Sequence, residues 1–184
     1  MADGPGRSSR SSRRPPSDAE FTEFMHATWA ALYRTAYLLV GDHGLAEDLA
    51  QTALTRTYAN WSRVRRLEAA PGYARTAVVN AALSMFRKRS WRQERPSAEL
   101  PERPGTEVDP SLRPDLLAAL AVLPARQRAV VVLRFYDDLS VAETAAALGC
   151  AEGTVKSQTS DALARLRTLL GESVIPESRG ASHD

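Results

Sequence analysis

Three stretches of the chain carry side chains whose types and spacing suit the handling of nucleic acid. Near the carboxyl end, Lys156, Ser157, Gln158, Asp161 and Arg165 group together. Gln can bond adenine bidentately, Asp can accept from cytosine, and the cations can meet phosphates. In the middle, RKRSWRQER crowds Arg87, Lys88, Arg89, Arg92 and Arg95 around Phe86 and Trp91, opposed there only by Glu94. Cations beside flat rings are what a single-stranded or melted nucleic acid requires, charge for phosphates and faces for unstacked bases. The other reading is that both rings pack inward and the cations complement a helix carboxyl end, although five exceed that need. Arg63, Arg65 and Arg66 form a third, shorter basic stretch. Catalytic constellations are poorer. Asp137, Asp138 and Glu143 could be read as nuclease carboxylates, but His26, His43 and His183 are scattered and show no metal spacing. A helix start beside a capping Glu explains those acids better.

The first group lies in LSVAETAAALGCAEGTVKSQTSDALARLRTLL, Leu139 to Leu170, which reads as a helix-turn-helix. Ser140 followed by Glu143 is a capping box. Val141, Ala145 and Leu148 share a helical face, and Gly149 sits where a left-handed residue closes the helix. Past Cys150 and Ala151, a second helix is expected to bury Val155, Thr159, Ala162, Leu166 and Leu169, with its polar side free to enter a major groove. By spacing alone, a solvated helical hairpin remains open as the alternative.

Composition narrows the classes. The chain has 184 residues and a formal net charge of +2, so a nucleic-acid role must rest on where charge lies rather than on its sum. Cys150 is the only cysteine, which excludes an internal disulfide and a cysteine-built zinc site. No apolar run approaches the length of a bilayer span, and no secretory signal is expected, so the reading is a cytoplasmic protein.

Taken in order, residues 1–16 form an Arg/Ser-rich tail, with Arg7, Arg10, Arg13 and Arg14, too poor in hydrophobes to offset the entropy of ordering. Ser17 and Glu20 form another capping box. It opens a helix whose Phe21, Phe24, Met25, Trp29, Leu32, Ala36 and Leu39 trace an apolar stripe ending at Gly41. Asp42 caps a second helix with Leu45, Leu49, Ala53, Leu54, Tyr58 and Trp61 inward and Asp48, Gln51, Thr52 and Thr55 outward. Pro71 introduces a third, small and apolar through Ala74, Ala77, Val78, Ala81 and Met85 before its basic end. Residues 94–113 hold four prolines, a glycine and several acids with no period, and read as a linker. Beyond it, Leu116, Leu117, Leu120 and Leu123 suggest a helix, and Pro124 starts another. The β-prone Val130 to Leu133 is assigned to that helix, because its neighbours leave no sheet partner. Residues 172–184 read as a frayed tail.

This order resembles the extracytoplasmic-function (ECF) group of bacterial sigma-70 factors, in particular its actinobacterial SigE-type subgroup. Three blocks carry the resemblance: residues 39–61, LVGDHGLAEDLAQTALTRTYANW; residues 78–94, VVNAALSMFRKRSWRQE; and residues 123–167, which are similar to the family's second domain. The resemblance implies an all-α fold of two small helical domains. A region 2 bundle would span 17–93, a flexible Pro-rich linker 94–113, and a region 4 helix-turn-helix 114–171. It implies an alternative sigma factor, not an enzyme and without cofactor or metal. Such a factor binds core RNA polymerase, recognises minus-ten and minus-35 promoter elements and initiates transcription of a specific gene set. Asp48, Gln51, Thr52 and Arg56 would then meet the clamp helices of the beta-prime subunit, with the beta flap as a further polymerase contact. Asn80, Ser84, Arg87, Lys88 and Trp91, helped by Arg63, Arg65 and Arg66, would bind the minus-ten element. Thr154, Lys156, Ser157, Gln158, Asp161 and Arg165 would read the minus-35 duplex. An anti-sigma factor is a further possible partner.

Two departures mark the second DNA site. Many relatives have an arginine where this chain has Gln158, and a basic or small residue where it has Asp161, which predicts a different base preference. Ala151 replaces a serine at the turn, losing a cap worth about 1 kcal/mol. Outside the family, an ordinary helix-turn-helix repressor or activator would need a dimer seam or ligand pocket, and neither is evident. A protein that merely sequesters a partner would have no use for the cationic helix.

Overall fold

The structure is a computed structural model that describes residues 16–64, 66–93 and 114–170. Helix α1, Asp18–Val40, begins at the expected capping box. The Glu20 amide donates to Ser17 Oγ at 3.3 Å and the Ser17 amide donates to Glu20 Oε2 at 2.6 Å. Gly41 closes it at φ 70°. Asp42 caps α2, His43–Ala59, by accepting from the Leu45 amide at 2.7 Å. Two short 3₁₀ turns, Trp61–Arg63 and Leu67–Ala69, lead to α3, Ala70–Gln93, with Pro71 in its first turn. Trp61 is buried as expected, although α2 ends before it. Its indole N–H donates to the Ser17 carbonyl at 2.9 Å, and its ring lies 5.1 Å from Phe21 and 5.3 Å from Phe24. This aromatic knot ties the exit of α2 to the entry of α1. Tyr58 departs from expectation, being 48% exposed. Its ring covers Phe21 from outside, at 4.8 Å, while its hydroxyl donates to Asp18 in water.

The second unit holds α4, Pro114–Ala121; α5, Ala125–Val131; α6, Val141–Leu148; and α7, Glu152–Leu170. The β-prone valines are helical, as expected. They leave α5 through a π turn, Val132–Tyr136, in which the Asp137 amide reaches back to the Val132 carbonyl at 3.0 Å. Asp138 reverses the chain at φ 53°. Both halves of the Ser140–Glu143 box form, and those hydrogen bonds hold the Glu143 carboxyl below its ordinary range. Gly149, at φ 60°, turns the chain into α7. Val155, Ala162 and Leu166 are buried, but Leu169 is 54% exposed. Arg167, Thr168 and Leu169 are exposed in succession, because α7 runs past the helices that cover its earlier turns.

The two units pack against each other. Helix α1 meets α4, α5 and the π turn, while α3 meets α5 and α6, so one hydrophobic cluster runs from Leu32 through Val79 to Leu166. The sequence shows two compact units flanking a tether and leaves their contact open. Units this small bury a modest share of their surface alone, and an apolar face on each finds its cover on the other. The linker, residues 94–113, and both tails lie outside the described residues.

A Cβ added at Gly149 or at Gly153 meets nothing within 4 Å, so only backbone conformation separates the two sites. Gly149→Ala is expected to cost about 1 kcal/mol through its left-handed φ. Gly153→Ala, inside α7, should stabilise by about 0.5–1 kcal/mol. Opposite shifts in melting temperature by circular dichroism check this; shifts of one sign would contradict it.

Candidate nucleic-acid interface

Helix α7 presents the first candidate surface. Thr154, Ser157, Gln158, Asp161 and Arg165 recur on one side at spacings of three and four, with Lys156 beside them. All are exposed except Gln158, which is half-buried. Ser157 Oγ donates to the Thr154 carbonyl at 3.1 Å, which closes the first turn of the face. The opposite side holds Val155, Ala162 and Leu166 in the core. The face is thus backed by the core and exposed on its outer side.

Helix α3 presents the second surface. Asn80, Arg87 and Lys88 are exposed and Ser84 half-buried, spaced so that one side carries all four; Trp91 continues the series along the backbone. Residues 90–93 have no described side chains, so the surroundings of Trp91 lie outside the description, as does Arg65 entirely. Arg63 and Arg66 are exposed on the connector. Arg63 donates to Asn60 Oδ1 at 3.4 Å, and Asn60 Nδ2 donates to the Tyr73 hydroxyl at 3.2 Å, so connector and helix are joined. Tyr73, 46% exposed, extends the α3 stripe by two turns. The sequence reading missed it, because a lone tyrosine after a Pro-Gly pair carries no period of its own.

Phe86 goes the other way. It packs against the core, and the Arg128 guanidinium lies over its ring at 5.3 Å. The inward alternative therefore holds for this ring, and its face is taken by a cation from the second unit.

Helix α2 carries a third surface. Asp48, Gln51, Thr52 and Arg56 are all exposed along one side, while Ala46, Leu49, Ala50, Ala53 and Leu54 are buried on the other. The second unit sits on α1 and α3, which leaves this side of α2 uncovered.

Two of the three acids that a nuclease would use, Asp137 and Glu143, are otherwise engaged. Asp137 accepts from Thr35 Oγ1 at 2.9 Å and pairs with Arg75 Nε at 3.3 Å. Burial pushes its carboxyl above the ordinary range, against the pull of Arg75 and Thr35. Glu143 is held by Ser140. Among the described residues no cluster of His, Cys, Asp and Glu could hold a metal, and no helix is long and apolar enough to cross a membrane.

Residues 25–92 match the family described as sigma-70 region 2, and residues 113–166 match sigma-70 region 4. The RNA polymerase sigma-E factor of Streptomyces coelicolor is 44% identical over 151 residues, 80% of this chain and 84% of that protein. The ECF RNA polymerase sigma factor SigM of Mycobacterium tuberculosis is 33% identical over 140 residues, 76% of this chain and 71% of that one. The chain belongs to the ECF sigma factors. A solved structure agrees: the sigma factor RpoE from Bartonella quintana, in complex with the anti-sigma factor NepR, superposes with a TM-score of 0.70 at 28% identity. It covers 84% of this chain and 98% of that one. In the sigma-factor frame, the α2 and α3 surfaces fall in region 2 and the α7 face in region 4.

The exposed cations of α3 predict how DNA affinity responds to salt. Removing two of them with Arg87→Ala and Lys88→Ala should lower the slope of log affinity against log salt for a single-stranded oligonucleotide by about 1.4, or ~0.7 per phosphate. Fluorescence anisotropy across a salt series measures it. An unchanged slope would place both side chains off the DNA.

Proposed function

We infer that this chain is an alternative sigma factor of the ECF group. It binds core RNA polymerase, carries it to promoters with particular minus-ten and minus-35 elements, and starts transcription there. The observation that carries this reading is the combination in one chain of a region 2 unit with a cationic helix and a region 4 unit with an exposed reading helix. Neither surface alone would distinguish a sigma factor from a repressor.

The division of labour follows from chemistry. In the region 2 unit, residues 17–93, the polar side of α2 with Asp48, Gln51, Thr52 and Arg56 docks on the clamp helices of the beta-prime subunit. Its uncharged and singly charged side chains leave water at modest cost. Asn80, Ser84, Arg87, Lys88 and Trp91, with Arg63, Arg65 and Arg66, engage the minus-ten element as it opens. Unstacking a base costs a few kcal/mol, which stacking and phosphate contacts offset. In the region 4 unit, residues 114–171, Thr154, Lys156, Ser157, Gln158, Asp161 and Arg165 read the minus-35 duplex while the unit meets the beta flap. Gln158 favours adenine and Asp161 favours a cytosine amino group, and together they set the promoter choice. The protein works in the cytoplasm beside polymerase and is not itself an enzyme. Its likeness to a sigma factor crystallised with an anti-sigma factor supports a partner of that kind.

Purified protein added to core polymerase should produce run-off transcripts from a subset of promoters. A repressor would leave core polymerase inert. In the same assay, Asp48→Ala with Gln51→Ala should weaken polymerase binding at least about tenfold with an unchanged melting temperature. Retained affinity would remove α2 from the interface.

A further inference from the structure

The amino-terminal arginines belong to none of the surfaces assigned above. Residues 1–16 carry Arg7, Arg10, Arg13 and Arg14 against Asp3 alone, a charge of +3. The whole chain carries +2, so everything after residue 16 sums to −1. Positive charge is therefore concentrated at the amino end, and the place where that end is attached decides what it can meet. Residues 1–15 lie outside the described residues, but the attachment at Ser17 does not.

Ser17, the cap of α1, is fixed by its neighbours. Its carbonyl accepts from the Trp61 indole at 2.9 Å, and Phe21 and Phe24 of the same helix lie against the Trp61 ring. Trp61 begins the connector, two residues before the exposed Arg63 and five before the exposed Arg66. Arg63 in turn reaches Asn60, which is bonded to the Tyr73 hydroxyl on α3. The amino-terminal segment thus leaves the protein at the connector, beside the surface proposed for the minus-ten element. A chain spans at most about 3.6 Å per residue, so Arg14 and Arg13 stay within about 11 and 14 Å of Ser17 in any conformation, and Arg10 within about 25 Å. The acids nearest the attachment are engaged. Glu20 completes the capping box and Asp18 accepts from the Tyr58 hydroxyl, and both complement the amino end of α1.

We propose that the amino-terminal arginines form the outer part of the minus-ten site, binding the DNA phosphate backbone where it continues past Arg63 and Arg66. Guanidinium groups pair with phosphates whatever the base, so this segment adds affinity and leaves the choice of promoter to α3 and α7. The residues between the arginines suit the same task. Ser8, Ser9, Ser11 and Ser12 can donate to phosphate oxygens and add no competing negative charge. The identity of the DNA rests on the promoter-reading function, whereas a backbone contact by this segment does not depend on transcription.

The test uses the full-length chain and a fluorescent single-stranded oligonucleotide of about 12 nucleotides, a length matched to one small binding surface. Arg7→Gln, Arg10→Gln, Arg13→Gln and Arg14→Gln together should lower the slope of log affinity against log salt by about 2–3, at ~0.7 per phosphate. Binding at about 0.1 M salt should weaken at least about tenfold, with the melting temperature unchanged. Position is tested by a benzophenone on Ser12→Cys or on the exposed Ser62→Cys, each in a chain carrying Cys150→Ser. Both should crosslink the oligonucleotide with the same half-saturating concentration, because one strand occupies both places. An unaltered slope, a Ser12 crosslink that saturates apart from the Ser62 one, or binding to phosphatidylglycerol vesicles in place of the oligonucleotide would overturn the proposal. A slope that depends on the arginines in a chain that yields no run-off transcripts with core polymerase would uphold the contact and remove the sigma function. Transcripts from a chain whose slope ignores the arginines would do the reverse.

Discussion

Neither helical unit is large enough to bury its own apolar faces, and this constraint shapes the rest of the molecule. The region 2 unit is three helices and two short turns; the region 4 unit is four helices, three of them eight residues or shorter. Helices so short are marginal alone and draw their stability from packing. The solution is one continuous cluster in which α1 and α3 serve both units, with Leu39 and Val79 on one side and Val130 and Leu133 on the other, all essentially inaccessible. Because that seam consumes the apolar sides, the polar surfaces proposed for polymerase and DNA are left on the outer sides of α2, α3 and α7.

The polar contacts across the seam solve a second problem. Bringing α1 and α4 end-first toward α5 buries carbonyls that no helix bond can satisfy. Arg128 supplies the missing donors in both directions. Asp137 has the opposite role, accepting where Thr35 and Arg75 would otherwise lose water. Hydrogen bonds to charged groups contribute about 1.5–3 kcal/mol each, enough to select one arrangement of the units. The π turn contributes to this packing, since Asp137 follows it directly and meets Thr35 and Arg75 at the seam.

What the sequence displays and what it hides divide along a physical line. Local chemistry is legible: both capping boxes, the left-handed Gly41 and Gly149, the Asp42 cap and the helical assignment of Val130 to Leu133 depend on neighbours a few residues away. So does the exposure of the α2, α3 and α7 surfaces, which follows from period alone. The seam is not legible. Thr35 and Asp137 are 102 residues apart, and nothing in FYDDLS marks one acid as bound for α1. The same lack of long-range information left Phe86 undecided between base stacking and packing, and Arg128 supplied the answer. Leu169 and Tyr58 depart from expectation for a related reason, since period shows which side an apolar residue occupies but not whether a partner reaches that far along the helix.

In the proposed function, two separate surfaces of one chain read two promoter elements in different states, one as duplex and one as it melts. Footprinting of the polymerase–promoter complex with hydroxyl radicals and permanganate tests it most directly. Two protected patches about 25 base pairs apart are expected, with permanganate-reactive thymines only in the downstream one. A single protected patch, or two patches with no unpaired thymines, would contradict it.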